Sequence, residues 1–237
     1  EKRAYVQRIF PEIAPRYDLL NRVLSFNVDR RWRRRAIAAL DWTRRPTGRY
    51  LDLCAGTLDV AAQLARTPGF RGTVIGADFA EPMLRAGAGK SPAGVVRPVV
   101  ADALGLPFAP ASMAGAIVAF GIRNLADLDA GLGEVLRVLE PGGRLVVLEF
   151  STPSSAFVRA GYHAYFHHVL PFVGGVVSGH GTAYRYLPQS VASFPSQQAL
   201  GTRMERAGFT AVRWQSLTFG IAALHVGEKA ATRSVPT

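Results

Sequence analysis

Arg49-Tyr50-Leu51-Asp52-Leu53-Cys54-Ala55-Gly56-Thr57-Leu58-Asp59 is the stretch whose reading decides the fold. Its first half is an apolar run of strand length. Its second half is a turn of small residues, and Val60–Arg66 then reads as a helix. The pattern repeats downstream. Gly72–Ala77 is a second strand-length run ending at Asp78, with Pro82-Met83-Leu84 opening another helix. Val95–Ala101 and Ala114–Phe120 are further strands, and Leu128, Leu132, Val135, Leu136 and Leu139 recur at helical spacing. Pro141-Gly142-Gly143 predicts that helix's stop, before a strand over Arg144–Phe150. A helix over Gln197–Ala207 and strands over Phe209–Trp214 and Ile221–Val226 complete the series. Strands separated by helices predict an α/β fold, a doubly wound, mostly parallel, seven-stranded sheet. On this reading residues 1–45 form a basic, helical N-terminal cap and 46–229 the sheet domain. Residues 151–190 are a helical insertion before the last strands, and 230–237 a disordered tail.

The 237 residues suit one domain with a modest extension, and 49% hydrophobic content excludes a disordered or collagen-like chain. The single cysteine, Cys54, excludes a disulfide framework and a Cys-rich zinc site. The formal charge of +11 is uneven, because residues 1–49 hold thirteen basic residues against five acidic ones. A polyanion or anionic surface is therefore expected to meet the N-terminal end. No run reads as a membrane-spanning helix and the charged start does not read as a signal peptide, so a cytoplasmic protein is expected.

In a doubly wound sheet, ligands sit beyond the carboxyl ends of the strands. The first strand leads into Gly56-Thr57, a turn through which a ligand can approach the backbone. The second ends at Asp78, 22 residues after Gly56, where a carboxylate can accept from both ribose hydroxyls and repel a 2′-phosphate. The third ends at Asp102-Ala103, suited to an adenine amine beside a small side chain, and the fourth at Ala119-Phe120-Gly121. The dinucleotide fingerprint and the phosphate loop of nucleotidases are both absent. An adenosine ligand without a polyphosphate points to S-adenosylmethionine.

The order Asp52…Gly56-Thr57, Asp78, Asp102-Ala103 resembles the class I methyltransferases. Two longer stretches resemble the demethylmenaquinone and ubiquinone C-methyltransferase family: Tyr17-Asp18-Leu19-Leu20-Asn21-Arg22-Val23-Leu24-Ser25, and Arg137-Val138-Leu139-Glu140-Pro141-Gly142-Gly143 with Glu149-Phe150-Ser151. Ala119-Phe120-Gly121-Ile122-Arg123-Asn124 and Ala183-Tyr184-Arg185-Tyr186-Leu187 match as well. The resemblance runs from about Phe10 to Gly227. It implies C-methylation of a prenylated hydroquinone, demethylmenaquinol foremost, with S-adenosyl-L-homocysteine as the second product. A benzoquinol, another aromatic acceptor or a non-catalytic cofactor-binding role are the alternatives. The chain departs from the family at Cys54 and Leu58, where glycine is usual, at Asp29 for His and at Glu140 for Lys. Leu58 is expected to add bulk where the methionine end of the cofactor passes.

The reaction requires a ring hydroxyl to ionise beside an aligned methyl donor, so a cation near the quinol oxygen is expected to help. Arg123 is the candidate, unless it only pairs with a neighbour such as Asp127. Asn124 either orients the substrate or caps the next helix. Tyr17, Tyr184 and Tyr186 are expected to shape the substrate pocket. His163, His167, His168 and His180 supply candidate bases, but no third ligand has metal spacing, so no metal is expected. Asp29 is read as capping the segment Arg30-Arg31-Trp32-Arg33-Arg34-Arg35, with Trp32, Ala36 and Leu40 on one helical face. Such a helix can lie on an anionic membrane surface, placing the protein peripherally on the inner face, or can simply be docked and solvated. Nucleic acid is not expected as substrate, because Ala119-Phe120-Gly121-Ile122 lacks the signature of amine-methylating enzymes. A homodimer is compatible with these readings.

Overall fold

Seven strands form one sheet in the order β3-β2-β1-β4-β5-β7-β6. They belong to a computed structural model that describes residues 28–153, 155–164 and 189–231. The strands are β1 (Arg49–Leu53), β2 (Thr73–Asp78), β3 (Val96–Val100), β4 (Met113–Ala119), β5 (Leu139–Phe150), β6 (Phe209–Leu217) and β7 (Ala222–Lys229). β1 to β5 run parallel, and β7 is antiparallel to β5 and β6. The helices are α1 (Val28–Ala39), α2 (Asp59–Ala65), α3 (Glu81–Ala86), α4 (Leu128–Val138), α5 (Ala156–Ala164) and α6 (Gln197–Arg206).

Central strands covered on both faces need apolar side chains on both, which is why β1 reads as a continuous run rather than an alternation. Tyr50 shares a core cluster with Trp32, Ala36 and Ile37 of α1, with Leu40 just after it and with Leu64 of α2. Leu51 and Leu53 point the other way, into a cluster with Leu132 and Val135 of α4 and Leu200 and Met204 of α6. Trp32, Ala36 and Leu40 are buried, whereas Arg30, Arg31, Arg34 and Arg35 are exposed.

Two expectations are corrected. Pro141-Gly142-Gly143 does not stop α4, which ends at Val138. Leu139 already pairs with Met113, and the register then jumps to Gly115 opposite Arg144. Gly142 turns through a left-handed φ of 73°, so the tripeptide is an irregularity inside β5. Burying Leu139 against Met113 rewards the earlier start. Asp29 stands inside the first turn of α1, and its carboxylate lies 3.4 Å from Arg33 Nη2. Glu140, at the other charge departure, pairs with Arg45.

Candidate active site

Parallel register brings four strand ends into line. Leu53 pairs with Ala77 of β2 and with Val118 of β4, while Asp78 pairs with Val100 and Ala119 with Leu148. The chain runs from β1 outward through β2 to β3, then crosses back to β4 on the other side of β1, so the crevice between β1 and β4 is the topological switch point. Gly56, Thr57, Asp78, Asp102, Ala103 and Ala119 all border these ends, as expected.

The turn after β1 is left-handed at alternate residues: φ is 55° at Cys54, 51° at Gly56 and 62° at Leu58. These are the three positions where glycine is usual. A side chain there costs about 1–2 kcal/mol per residue, so Cys54 and Leu58 must be offset by packing. Leu58 is buried among Val60, Leu64, Val74 and Leu84. A Cβ on Gly76 would lie 2.3 Å from Leu58 Cδ2, and one on Gly87 would lie 3.0 Å from its Cγ. Leu58 therefore fills a notch left by two glycines in the floor of the turn. The expectation that it crowds the methionine end of the cofactor is corrected by this inward orientation. Leu58→Gly relieves the backbone by about 1–2 kcal/mol but opens a core cavity worth about 2–5 kcal/mol, for a net loss of up to about 4 kcal/mol. Urea unfolding measures that loss; a gain in S-adenosylmethionine affinity would instead put the side chain in the ligand's path.

Cys54 meets a similar complement. A Cβ on Gly121 would stand 2.3 Å from Cys54 Cβ, so the turn after β4 rests directly on the turn after β1. Burial raises the thiol pKa well above its ordinary value, and Asp78, Asp52 and Glu149 push the same way. The thiol stays protonated and is no nucleophile.

The carboxylate of Asp78 organises both sides of the cleft. Oδ2 accepts from Gly56 N at 2.8 Å and Oδ1 from Ala80 N at 2.9 Å. Each carboxylate oxygen retains acceptor capacity beyond one such bond, which suits a pair of ribose hydroxyls. Burial raises its pKa, against the hydrogen bonds from Ala80, Gly56 and Phe79 that lower it. Asp102 Oδ1 accepts from Leu104 N at 3.0 Å, shaping the turn after β3 with Ala103 beside it.

Asp52 lies beneath the cleft, accepting from Ala61 N at 2.9 Å at the start of α2. Burial pushes its pKa up to about 7, opposed by the Ala61 amide and Arg33. The folded state therefore holds this proton more tightly than the unfolded chain does. Its contribution to stability is fully present near pH 4 and is lost as pH rises through about 7. The loss is on the order of 4 kcal/mol. Asp52→Asn keeps the acceptor for Ala61 and is expected to flatten this part of the stability profile, giving a gain over wild type at pH 8 that vanishes at pH 4. Equal slopes for the two proteins in denaturant titrations would refute the assignment.

Arg123 follows β4 in a short 3-10 turn, Ile122–Asn124. Its carboxylate partner is Glu149, with Nη1 2.7 Å from Oε1, and both side chains are nearly inaccessible at 7% and 2% exposure. Asp127, the neighbour suggested by the sequence, instead accepts from Ala130 N and caps α4. Asn124 is thus not the helix cap. Glu149 Oε2 also accepts from Arg123 N, and Arg123 Nη1 donates to Phe120 O. Arg123 Nε donates to Ser190 Oγ at 3.3 Å, tying the last residue of the insertion to this turn. Phe120 holds a left-handed φ of 61°, and its ring packs 4.7 Å from Phe150 and 6.1 Å from Trp32. Trp32 Nε1 donates to Thr218 Oγ1 at 2.9 Å, and the Arg123 guanidinium lies 5.6 Å from the Phe150 ring centre.

Glu149 and this aromatic wall were not singled out by sequence reasoning, although Phe120, Glu149 and Phe150 stand in the family-like stretches. A carboxylate in an otherwise apolar strand was the available signal. Tyr17, Tyr184 and Tyr186 lie outside the described residues, as do His167, His168 and His180. His163 belongs to α5. No group of three metal-ligating side chains occurs among the described residues.

The strand-end groups Gly56, Asp78 and Asp102 on an open parallel sheet with one antiparallel strand at β7 are those of a class I S-adenosylmethionine-dependent methyltransferase. The chain matches the ubiE/COQ5 methyltransferase family over residues 1–229 and belongs to that family. It is 53% identical over 225 residues to the demethylmenaquinone methyltransferase of Thermus thermophilus, covering 93% of this chain and 100% of the relative. It is 46% identical over 233 residues to the ubiquinone/menaquinone biosynthesis C-methyltransferase of Geobacter sulfurreducens, covering 97% of this chain and 90% of the relative. The fold is shared with a solved S-adenosylmethionine-dependent methyltransferase from Thermotoga maritima at 19% identity and a TM-score of 0.63, covering 97% of this chain and 100% of that one.

Proposed function

We propose that the protein methylates a ring carbon of a prenylated hydroquinone, converting demethylmenaquinol to menaquinol. Kinship with the two relatives named for quinone methylation carries this reading. The position of Arg123 supports it, since its turn rests on the cofactor turn through Gly121 and Cys54 and borders the Phe120 and Phe150 rings. S-adenosylmethionine supplies a methyl group that is already electrophilic and departs as S-adenosylhomocysteine. The protein's part is alignment and charge control. The aromatic wall receives the quinol ring, and Arg123 holds the ring oxygen as its proton passes to solvent, making the adjacent carbon nucleophilic; after that carbon takes the methyl group, its own proton is released to solvent and the ring regains aromaticity. Glu149 fixes the guanidinium and lowers its net charge, so it positions rather than reacts. Asn124 orients the ring from the same turn, and the family-like stretches that hold Tyr17, Tyr184 and Tyr186 make these the residues proposed to contact the substrate.

A prenylated acceptor resides in lipid. The protein is accordingly placed peripherally on the inner face of the membrane, its basic N-terminal side toward anionic headgroups. No helix among the described residues is long and apolar enough to cross a bilayer. The deciding experiment supplies labelled S-adenosylmethionine with reduced demethylmenaquinone, its benzoquinol counterpart and total RNA in parallel. Label is expected in the naphthoquinol; label confined to RNA would overturn the assignment.

A further inference from the structure

A groove of about 970 Å³ runs between α1 and α2, on the outer face of the sheet domain. Its walls are the facing rows of two helices: Arg30, Arg33, Arg34 and Ile37 on α1, and Asp59, Ala62, Gln63 and Arg66 along α2. Both rows follow the i, i+3, i+4, i+7 spacing of a single helical face. Charge in the groove is one-sided. Arg30, Arg31, Arg33, Arg34, Arg66 and Lys90 line it, against only Asp29 and Asp59.

Both carboxylates are already engaged. Asp59 takes Arg33 Nη1 at 2.7 Å and Lys90 Nζ at 2.8 Å, and Asp29 faces Arg33 at 3.4 Å. Arg30, Arg31, Arg34 and Arg66 are exposed and make no ion pair with any described residue. Arg30 and Arg34 stand one helical turn apart, a like-charge spacing that disfavours the helix by a few tenths of a kcal/mol. An anion between the rows reverses that repulsion. Guanidinium forks match the paired oxygens of a phosphate group in both geometry and charge.

We propose that this groove binds a phosphate-bearing ligand, clamped by Arg30 and Arg34 from α1 and Arg66, which caps the C-terminal end of α2. The same chemistry is offered by an anionic phospholipid headgroup and by free pyrophosphate. The groove adjoins the turn after β1, because Asp59 directly follows Leu58. A bound headgroup would therefore seat the protein with its cleft beside the bilayer, which rests on the peripheral placement given above. Phosphate binding itself does not depend on that placement.

The test compares the wild-type chain with a groove variant, Arg30→Gln/Arg34→Gln/Arg66→Gln. A control, Arg71→Gln/Arg97→Gln/Arg206→Gln, removes the same charge from exposed sites that do not line the groove. Calorimetry with pyrophosphate and co-sedimentation with phosphatidylcholine vesicles, with and without phosphatidylglycerol, are the readouts. The groove variant is expected to lose roughly tenfold or more in affinity, the control less than about threefold. Loss for pyrophosphate but no vesicle binding by any form would keep the groove site and remove the membrane placement. Phosphatidylglycerol binding that the groove variant retains would keep the membrane placement and overturn the groove site. Equal loss in both variants, or no binding of either probe by wild type, also overturns it.

Discussion

Asp78→Ala is expected to weaken S-adenosylmethionine binding by two to four orders of magnitude. Two hydrogen bonds from ribose hydroxyls to an ionised carboxylate are worth about 1.5–3 kcal/mol each, and a tenfold change in affinity is about 1.4 kcal/mol. The same substitution strips the acceptors from Gly56 N and Ala80 N, so part of the loss could come from a loosened turn. A 2′-deoxy analogue separates the two causes. It is expected to bind wild type more weakly than the full ligand, yet to bind Asp78→Ala as the full ligand does. Equal discrimination by both proteins in calorimetry would remove Asp78 from ribose contact. The effect on folding is smaller, because burial already disfavours the charged carboxylate that the variant eliminates.

Arg123→Ala is expected to reduce both turnover and stability, and the double variant Arg123→Ala/Glu149→Gln to restore only stability. Removing one partner of a buried pair leaves the other charge uncompensated and costs about 3–5 kcal/mol. For a chain of this size that lowers the thermal midpoint by roughly 6–20 °C. Burial raises the Glu149 pKa while Arg123 is the main influence lowering it, so the single variant raises it further. The damage is then largest above neutral pH and shrinks as acid protonates Glu149. Turnover is expected to fall at least about a hundredfold in both variants, with cofactor affinity within about threefold. Recovery of turnover in the double variant would make the pair a structural element alone.

The two departures from glycine in the cofactor turn have one explanation. Cys54 and Leu58 keep the left-handed conformation and sit against glycines elsewhere, Gly121 in one case and Gly76 with Gly87 in the other. Glycines opposite the turn make room for its two larger side chains, and the backbone is left-handed at all three positions. A purely positional comparison of the turn reads this as crowding. The direction of each side chain reverses that conclusion.

What could be determined from sequence was governed by short-range periodicity. Apolar runs of strand length, each followed by a helical pattern, are sufficient for a parallel doubly wound sheet, and such a sheet places its cleft at the strand carboxyl ends. Asp78, Asp102, Ala119 and the Gly56-Thr57 turn were legible because each is defined by its own strand end. Tertiary structure decided what depends on partners distant in the chain. Arg123 meets Glu149, 26 positions further along the chain, because β4 and β5 are neighbours in the sheet. Asp127, only four residues from Arg123, is taken by the N-terminus of α4. The aromatic wall joins α1, β4, β5 and the turn before β7, and the basic groove exists only where α1 lies alongside α2. Side-chain direction and long-range pairing follow from which surfaces meet once the sheet closes, and no local pattern encodes them.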